Sequence, residues 1–106
     1  MRKSVITKKY EARAAILKAL AHPTRLFLVD VLAKGERCVR ELTDMAGVDI
    51  STMSRHLSIL KNIGILDDDK RGLHVYYSLK IPCVLNFFTC CETVMTKRGV
   101  KSTHEK

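Results

Sequence analysis

The sequence predicts a mainly α fold with one small β-hairpin, all within a single domain. Three observations lead there. Apolar residues recur at helical spacing in segments punctuated by glycine or proline. The period then changes to two between Leu73 and Leu79. A chain of 106 residues has room for only one core, and a core that small gains from burying more surface against a second copy.

Taken in order, the first ten residues are basic and lead into a first helix from about Lys8 to Leu20. Ala21-His-Pro-Thr24 interrupts it. Pro23 suits the first turn of a second helix, where its missing N–H would have no partner anyway. That helix runs from Pro23 to Ala33, burying Leu26, Phe27, Val29, Val31 and Leu32, and ends at Gly35. A third spans roughly Val39 to Ala46, with Leu42 and Met45 inward, and stops at Gly47. Val48-Asp-Ile50 is a short turn into the fourth. Two helices joined by a few residues that include a glycine match a helix-turn-helix.

The fourth helix carries the strongest functional signal. Ile50, Met53, Leu57, Leu60 and Ile63 recur at intervals of three and four and form one buried stripe. The other positions hold Ser51, Thr52, Ser54, Arg55, His56, Ser58 and Lys61, all hydrogen-bond donors. Short hydroxyls near a helix start, followed by a cation, suit a helix end pushed into a DNA major groove. The same pattern also fits the solvated face of an ordinary amphipathic helix, and His56 also fits a ring packed beneath the following hairpin.

Past Gly64, residues 65–71 and 73–79 flank Gly72 as a hairpin. Leu73, Val75, Tyr77 and Leu79 alternate as a half-buried strand should. Lys70, Arg71 and His74 surround its turn, and a hairpin after a recognition-type helix is the wing of a winged helix. The run Asp67-Asp-Asp69 is unfavourable beside DNA, so it is expected to face away or to pair with the basic wing. A last helix, opened by Pro82, covers Ile81 to about Arg98; residues 1–7 and 99–106 read as flexible tails.

Nineteen Lys and Arg against eleven Asp and Glu give a net charge of +8. Such an excess favours a polyanionic partner through attraction to phosphates and counterion release. Membrane-surface binding would fit the charge equally; the groove-reading helix is what favours nucleic acid. The basic start has no apolar run behind it, so no signal peptide is expected. No stretch nears the roughly 20 apolar residues needed to cross a bilayer. The cytoplasm is therefore the expected location, where four cysteines read as thiols. No phosphate loop or nucleophile–base pairing suggests an enzyme, and the cysteines lack the paired halves of a zinc ribbon.

Four segments together resemble the ArsR-type (arsenical repressor) family: Ala19-Leu-Ala-His-Pro-Thr-Arg-Leu26, Glu36-Arg-Cys-Val-Arg-Glu-Leu42, Ser51 through Lys61, and Val75-Tyr-Tyr-Ser-Leu79. The similarity covers about residues 12 to 95. It implies a winged helix-turn-helix repressor, dimeric through its first and last helices. Such a repressor binds an inverted-repeat operator in double-stranded DNA without a cofactor and releases it when an inducer binds. Carried over by position, the DNA-facing residues would be Ser51, Thr52, Ser54, Arg55, His56 and Lys61, with Arg71 on the wing.

The inducer is narrowed by the cysteines. Arsenical repressors often carry two cysteines with one residue between them before the recognition helix; this chain keeps Cys38 but has Arg40 at the second position. The zinc-type pattern on the last helix is absent, since no histidine lies between Ile81 and Val100. That helix instead holds Cys83, Cys90 and Cys91. Seven residues turn a helix by about 700°, so Cys83 and Cys90 share a stripe, with Cys91 about 80° from Cys83. The rise separates Cys83 and Cys90 by roughly 10 Å. Thiolates sharing one ion at about 2.3 Å each lie no more than about 4.6 Å apart, so one helix cannot chelate alone.

Two last helices paired antiparallel about an axis near Asn86 and Phe87 would instead bring Cys83 of one copy to Cys90 and Cys91 of the other. This would give two identical three-thiol sites for arsenite or a similar soft metal ion. Three alternatives stay open: Cys38 as a further ligand or as redox partner of a last-helix cysteine in a persulfide- or oxidation-responsive repressor; cysteines that are only small buried hydrophobes; and a winged-helix interaction module that does not bind DNA.

Overall fold

In a computed structural model that describes residues 5–99, five helices and three strands follow one another along the chain. They are α1 (Val5–Leu20), α2 (Pro23–Ala33), β1 (Arg37–Cys38), α3 (Val39–Ala46), α4 (Ile50–Asn62), β2 (Leu66–Arg71), β3 (His74–Leu79) and α5 (Val84–Lys97). The strands form one antiparallel sheet in the order β1-β3-β2. The hairpin runs in register from Leu66 opposite Leu79 to Arg71 opposite His74, and Arg37 and Cys38 pair with Tyr77 and Tyr76.

The core forms where the amphipathic elements face one another. Leu28 and Val29 of α2, Leu42 of α3 and Met53, Leu57 and Leu60 of α4 are fully buried. Ile65, Leu66 and Tyr77 close the cluster from the sheet side. At roughly 1.5–3 kcal/mol for each large aliphatic side chain removed from water, this cluster is what holds the helix-turn-helix against the hairpin. A winged helix-turn-helix is therefore the observed architecture.

Several sequence expectations need correction. β1 leaves no mark in the sequence, because two residues are too few to display an alternating pattern. α1 begins at Val5, so residues 5–7 are helical rather than part of a loose tail; residues 1–4 and 100–106 of the expected tails lie outside the described residues. α5 begins at Val84 rather than near Ile81. Pro82 and Cys83 form a tight lead-in, with Val84 and Leu85 N–H groups donating to the carbonyls of Ile81 and Pro82 at 3.2 Å each. Leu26, Met45 and Ile50 were expected inward but are exposed. Leu26 overhangs a hollow between α2 and α5, and Ile50 is the first residue of its helix, beyond the reach of the core. Leu73 is a turn residue, not a strand residue, and is 97% exposed.

Candidate nucleic-acid interface

The helix-turn-helix depends on one left-handed residue. Gly47 closes α3 at φ 70°, with its N–H donating to the Thr43 carbonyl at 3.0 Å. A side chain at this φ would be strained, so glycine lets the chain turn within three residues. Asp49 then caps α4 in an extended conformation, and its carbonyl accepts from Met53 N–H at 3.0 Å. Met53, Leu57 and Leu60 lock one side of α4 into the core. Ser51, Ser54, Arg55, Ser58 and Lys61 are left exposed on the other side, and Thr52 is half-buried.

The start of this face is already partly occupied. Ser51 Oγ donates to Asp49 Oδ2 at 2.8 Å. The hydroxyls of Thr52 and Ser51 hold the Asp49 carboxyl below the usual carboxylate range. Asp49 thus places a negative charge at the positive end of the helix dipole, where a phosphate could otherwise sit. Ser54, Arg55 and Ser58, further along, are the more open donors.

His56 is not on this face. Only 8% of it is exposed, and its ring lies 4.4 Å from that of His22, tilted by 48°. The alternative reading of His56 as a packed ring is the correct one, although its neighbour is the start of α2 rather than the wing. His22 is itself the cap of α2, its Nδ1 accepting from Thr24 N–H at 3.0 Å. Burial, then the charges of His22, Arg25 and Arg55, push the His56 imidazole below its ordinary value, favouring the neutral ring. Among the described residues its Nδ1 has no hydrogen-bond partner, and neither does the buried Nε of Arg25, whose Nη1 donates to the Ala19 carbonyl at 3.1 Å. The spacing of His22 just before Pro23 marks a helix start; it carries no sign that His22 would meet a residue 34 positions away (56 − 22).

The wing is laced by ion pairs. Lys61 Nζ lies 3.0 Å from Asp68 Oδ2, tying the end of α4 to β2 and raising the lysine above its ordinary value. Arg71 donates Nε to Asp69 Oδ2 at 2.9 Å, Nη2 to Glu36 Oε1 at 2.9 Å and Nη1 to Glu36 Oε2, while its guanidinium stacks 4.6 Å from the Tyr76 ring centre. That fork lowers the Glu36 carboxyl and raises the Arg71 guanidinium. Among the described residues, only Asp69 of the acidic run pairs with a wing cation; Asp68 holds Lys61 of α4, and Asp67 accepts from the Asp68 backbone N–H at 3.0 Å. In this conformation Arg71, the expected wing contact, faces carboxylates with all three of its nitrogens. Nothing local in the sequence links Glu36 to Arg71, which stands 35 residues away.

The cysteines are dispersed. Cys38 is buried, with its backbone N–H donating to Glu41 Oε1 at 3.0 Å. Cys83 sits just before α5 but keeps a right-handed helical backbone (φ −63°, ψ −16°), so its stripe relation to Cys90 survives. Cys83 and Cys90 are exposed and Cys91 is half-buried. Among the described residues of one copy, no three His, Cys, Asp or Glu side chains form a metal cluster.

α5 has no buried residue, although Leu85 and Phe88 lean on the core. Phe87 (54% exposed), Val94 and Met95 of α5 remain open to solvent, as do Tyr10, Ile16 and Leu17 of α1. No described helix is long and apolar enough to cross a membrane.

The family model described as bacterial regulatory protein, arsR family, matches residues 22–68. The HTH-type transcriptional repressor SmtB of Mycobacterium tuberculosis is 39% identical over 69 residues, covering 65% of this chain and 51% of that protein. The chain spans about half or less of the first curated relatives it matches. The transcriptional repressor BigR from Xylella fastidiosa superposes with TM-score 0.71 at 30% identity, over 89% of this chain and 96% of that one. A homodimeric winged helix-turn-helix DNA-binding domain from Mycobacterium bovis, a possible ArsR-family regulator, superposes with TM-score 0.76 at 27% identity, over 99% of this chain and 97% of that one.

Proposed function

The chain belongs to the arsR family of bacterial regulatory proteins, and on that premise we propose that it is a transcriptional repressor that binds operator DNA as a homodimer. The observation that carries this is α4: Met53, Leu57 and Leu60 are fully buried, while Ser54, Arg55 and Ser58 project from the opposite side. Two such helices, related by a two-fold axis, would read the half-sites of an inverted repeat one helical turn apart. Support for pairing comes from α1 and α5, whose Tyr10, Leu17, Phe87 and Val94 are exposed apolar groups that a second copy would cover.

Release would come from a thiol-reactive inducer, arsenite or another soft metal ion, bound by Cys83 of one copy with Cys90 and Cys91 of the other. The exposure of Cys83 and Cys90 on the stripe they share favours this over a site centred on the buried Cys38. Occupancy would fix a dimer geometry that spaces the two α4 helices wrongly for successive grooves. The test is a titration of the reduced protein, bound to a duplex it has selected from a random pool, with arsenite or with a persulfide. Arsenite should release the duplex, and Cys83→Ser or Cys90→Ser should abolish that release without weakening DNA binding. Release by persulfide alone, lost in Cys38→Ser, would replace this site with the redox pair.

A further inference from the structure

Between α1 and the last turns of α4 lies a groove of about 480 Å³, which Arg25 of α2 also lines. That volume is in the range of sites that take small organic molecules, roughly 300–1,000 Å³. Its floor is apolar: Ala19 is buried, and Ile59 and Ile63, both half-buried, stand four apart on one stripe of α4. Its polar groups are Lys18, Arg25 and Asn62, and among the described residues no carboxylate lines it. Neither cation makes an ion pair among the described residues. Arg25 Nη1 donates to the Ala19 carbonyl, tying the end of α1 to α2, while its buried Nε has no hydrogen-bond partner among the described residues. Ala15 and Ala19 each stand two positions from Leu17, about 200° round the helix. A second copy laid on Tyr10 and Leu17 would therefore leave the groove open.

We propose that this groove binds a small amphipathic carboxylate, with its chain on Ala19, Ile59 and Ile63 and its head between Lys18 and Arg25, and that occupancy alters operator affinity. The second half rests on the repressor reading above; the binding itself does not. Two cations beside an apolar floor match an anion that carries an apolar tail, and a planar guanidinium suits a carboxylate. A bare phosphate would meet the cations and leave Ile59 and Ile63 without a partner. The groove joins α1 to the helix that presents Arg55, so a molecule that favours one placement of α4 over another shifts its hold on the duplex.

The probe is decanoate, with 1-decanol as its uncharged counterpart, added to the full chain with labelled isoleucine methyl groups. Decanoate should shift the Ile59 and Ile63 signals saturably and leave that of Ile81, before α5, in place. Decanol should bind about tenfold more weakly, and Lys18→Glu, at an exposed position, should weaken decanoate by about tenfold or more while keeping a folded spectrum. At a concentration that saturates only the unmodified protein, decanoate should change its affinity for the pool-selected duplex by about fivefold or more, and that of Lys18→Glu much less. Unmoved Ile59 and Ile63 signals overturn the proposal, as does decanol binding as tightly as decanoate, or decanoate binding unchanged in Lys18→Glu. Methyl shifts with unaltered duplex affinity overturn the effect on the operator. Absence of any duplex affinity in the unmodified protein removes the repressor reading, while the methyl shifts still decide the binding site.

Discussion

Arg55 offers the sharpest test of which side of α4 meets DNA. It is exposed on the helix face opposite Met53 and Leu57, and among the described residues it makes no ion pair. Lys61 and Arg71, the other cations expected at the interface, are held by carboxylates. If each Arg55 of a dimer neutralises one phosphate, Arg55→Ala removes two contacts and reduces the salt slope by about 1.8, at about 0.9 for each phosphate. Between 50 and 200 mM salt, a fourfold change, the variant should then lose about twelvefold less affinity than the unmodified protein, since 4 raised to 1.8 is about 12. Fluorescence anisotropy with a labelled duplex at several salt concentrations reads this directly. A surface substitution of this kind alters folding stability by only about 0.5 kcal/mol or less, so a changed fold would not explain the result. An unchanged affinity and slope together would refute the orientation of α4 argued from its burial pattern.

Other outcomes follow from packing and charge. Leu57→Ala removes a fully buried side chain from beneath the same helix and should cost about 2–5 kcal/mol, read as a lower urea midpoint. His56 has its folded-state pKa lowered chiefly by burial, so the unfolded chain takes up the proton first as pH falls. Its contribution to stability should be complete above the ordinary value of 6.5 and decline below it, levelling once the lowered folded value is passed; His56→Phe should flatten that dependence in urea titrations, and a rise in stability towards acid would contradict it. Phe87→Asp places a charge on the open face of α5 and should yield a monomer by sedimentation, with weaker operator binding, while leaving the helical circular dichroism intact.

The legible parts of the fold were those in which one residue's chemistry acts locally. Pro23 after His22, and Gly47 and Gly72 at left-handed positions, delimit elements through backbone sterics that need no distant partner. The stripe of Met53, Leu57 and Leu60 showed which side of α4 is buried, because helical periodicity is carried in the sequence itself. The His56 ring was harder to place. A histidine at the border of an apolar stripe suits either side until a neighbour such as His22 supplies a ring to pack on. Arg71 could be matched in the sequence to the nearby acidic run, but no local pattern links it to Glu36, 35 residues earlier.

The chain's order of amphipathic helices, its alternating hairpin and its basic excess thus determined a winged helix-turn-helix suited to a polyanion, since periodicity and net charge are sums over residue identities. Which donors on α4 and the wing remain unpaired was decided in three dimensions. Asp49 draws in the hydroxyl of Ser51, Asp68 holds Lys61, and Glu36 with Asp69 holds Arg71. Leu73 is left exposed at the tip, because the register that pairs Arg71 with His74 makes it a turn residue. Hydrogen bonds and ion pairs act over a few ångströms, and only folding brings residues 35 positions apart within that range.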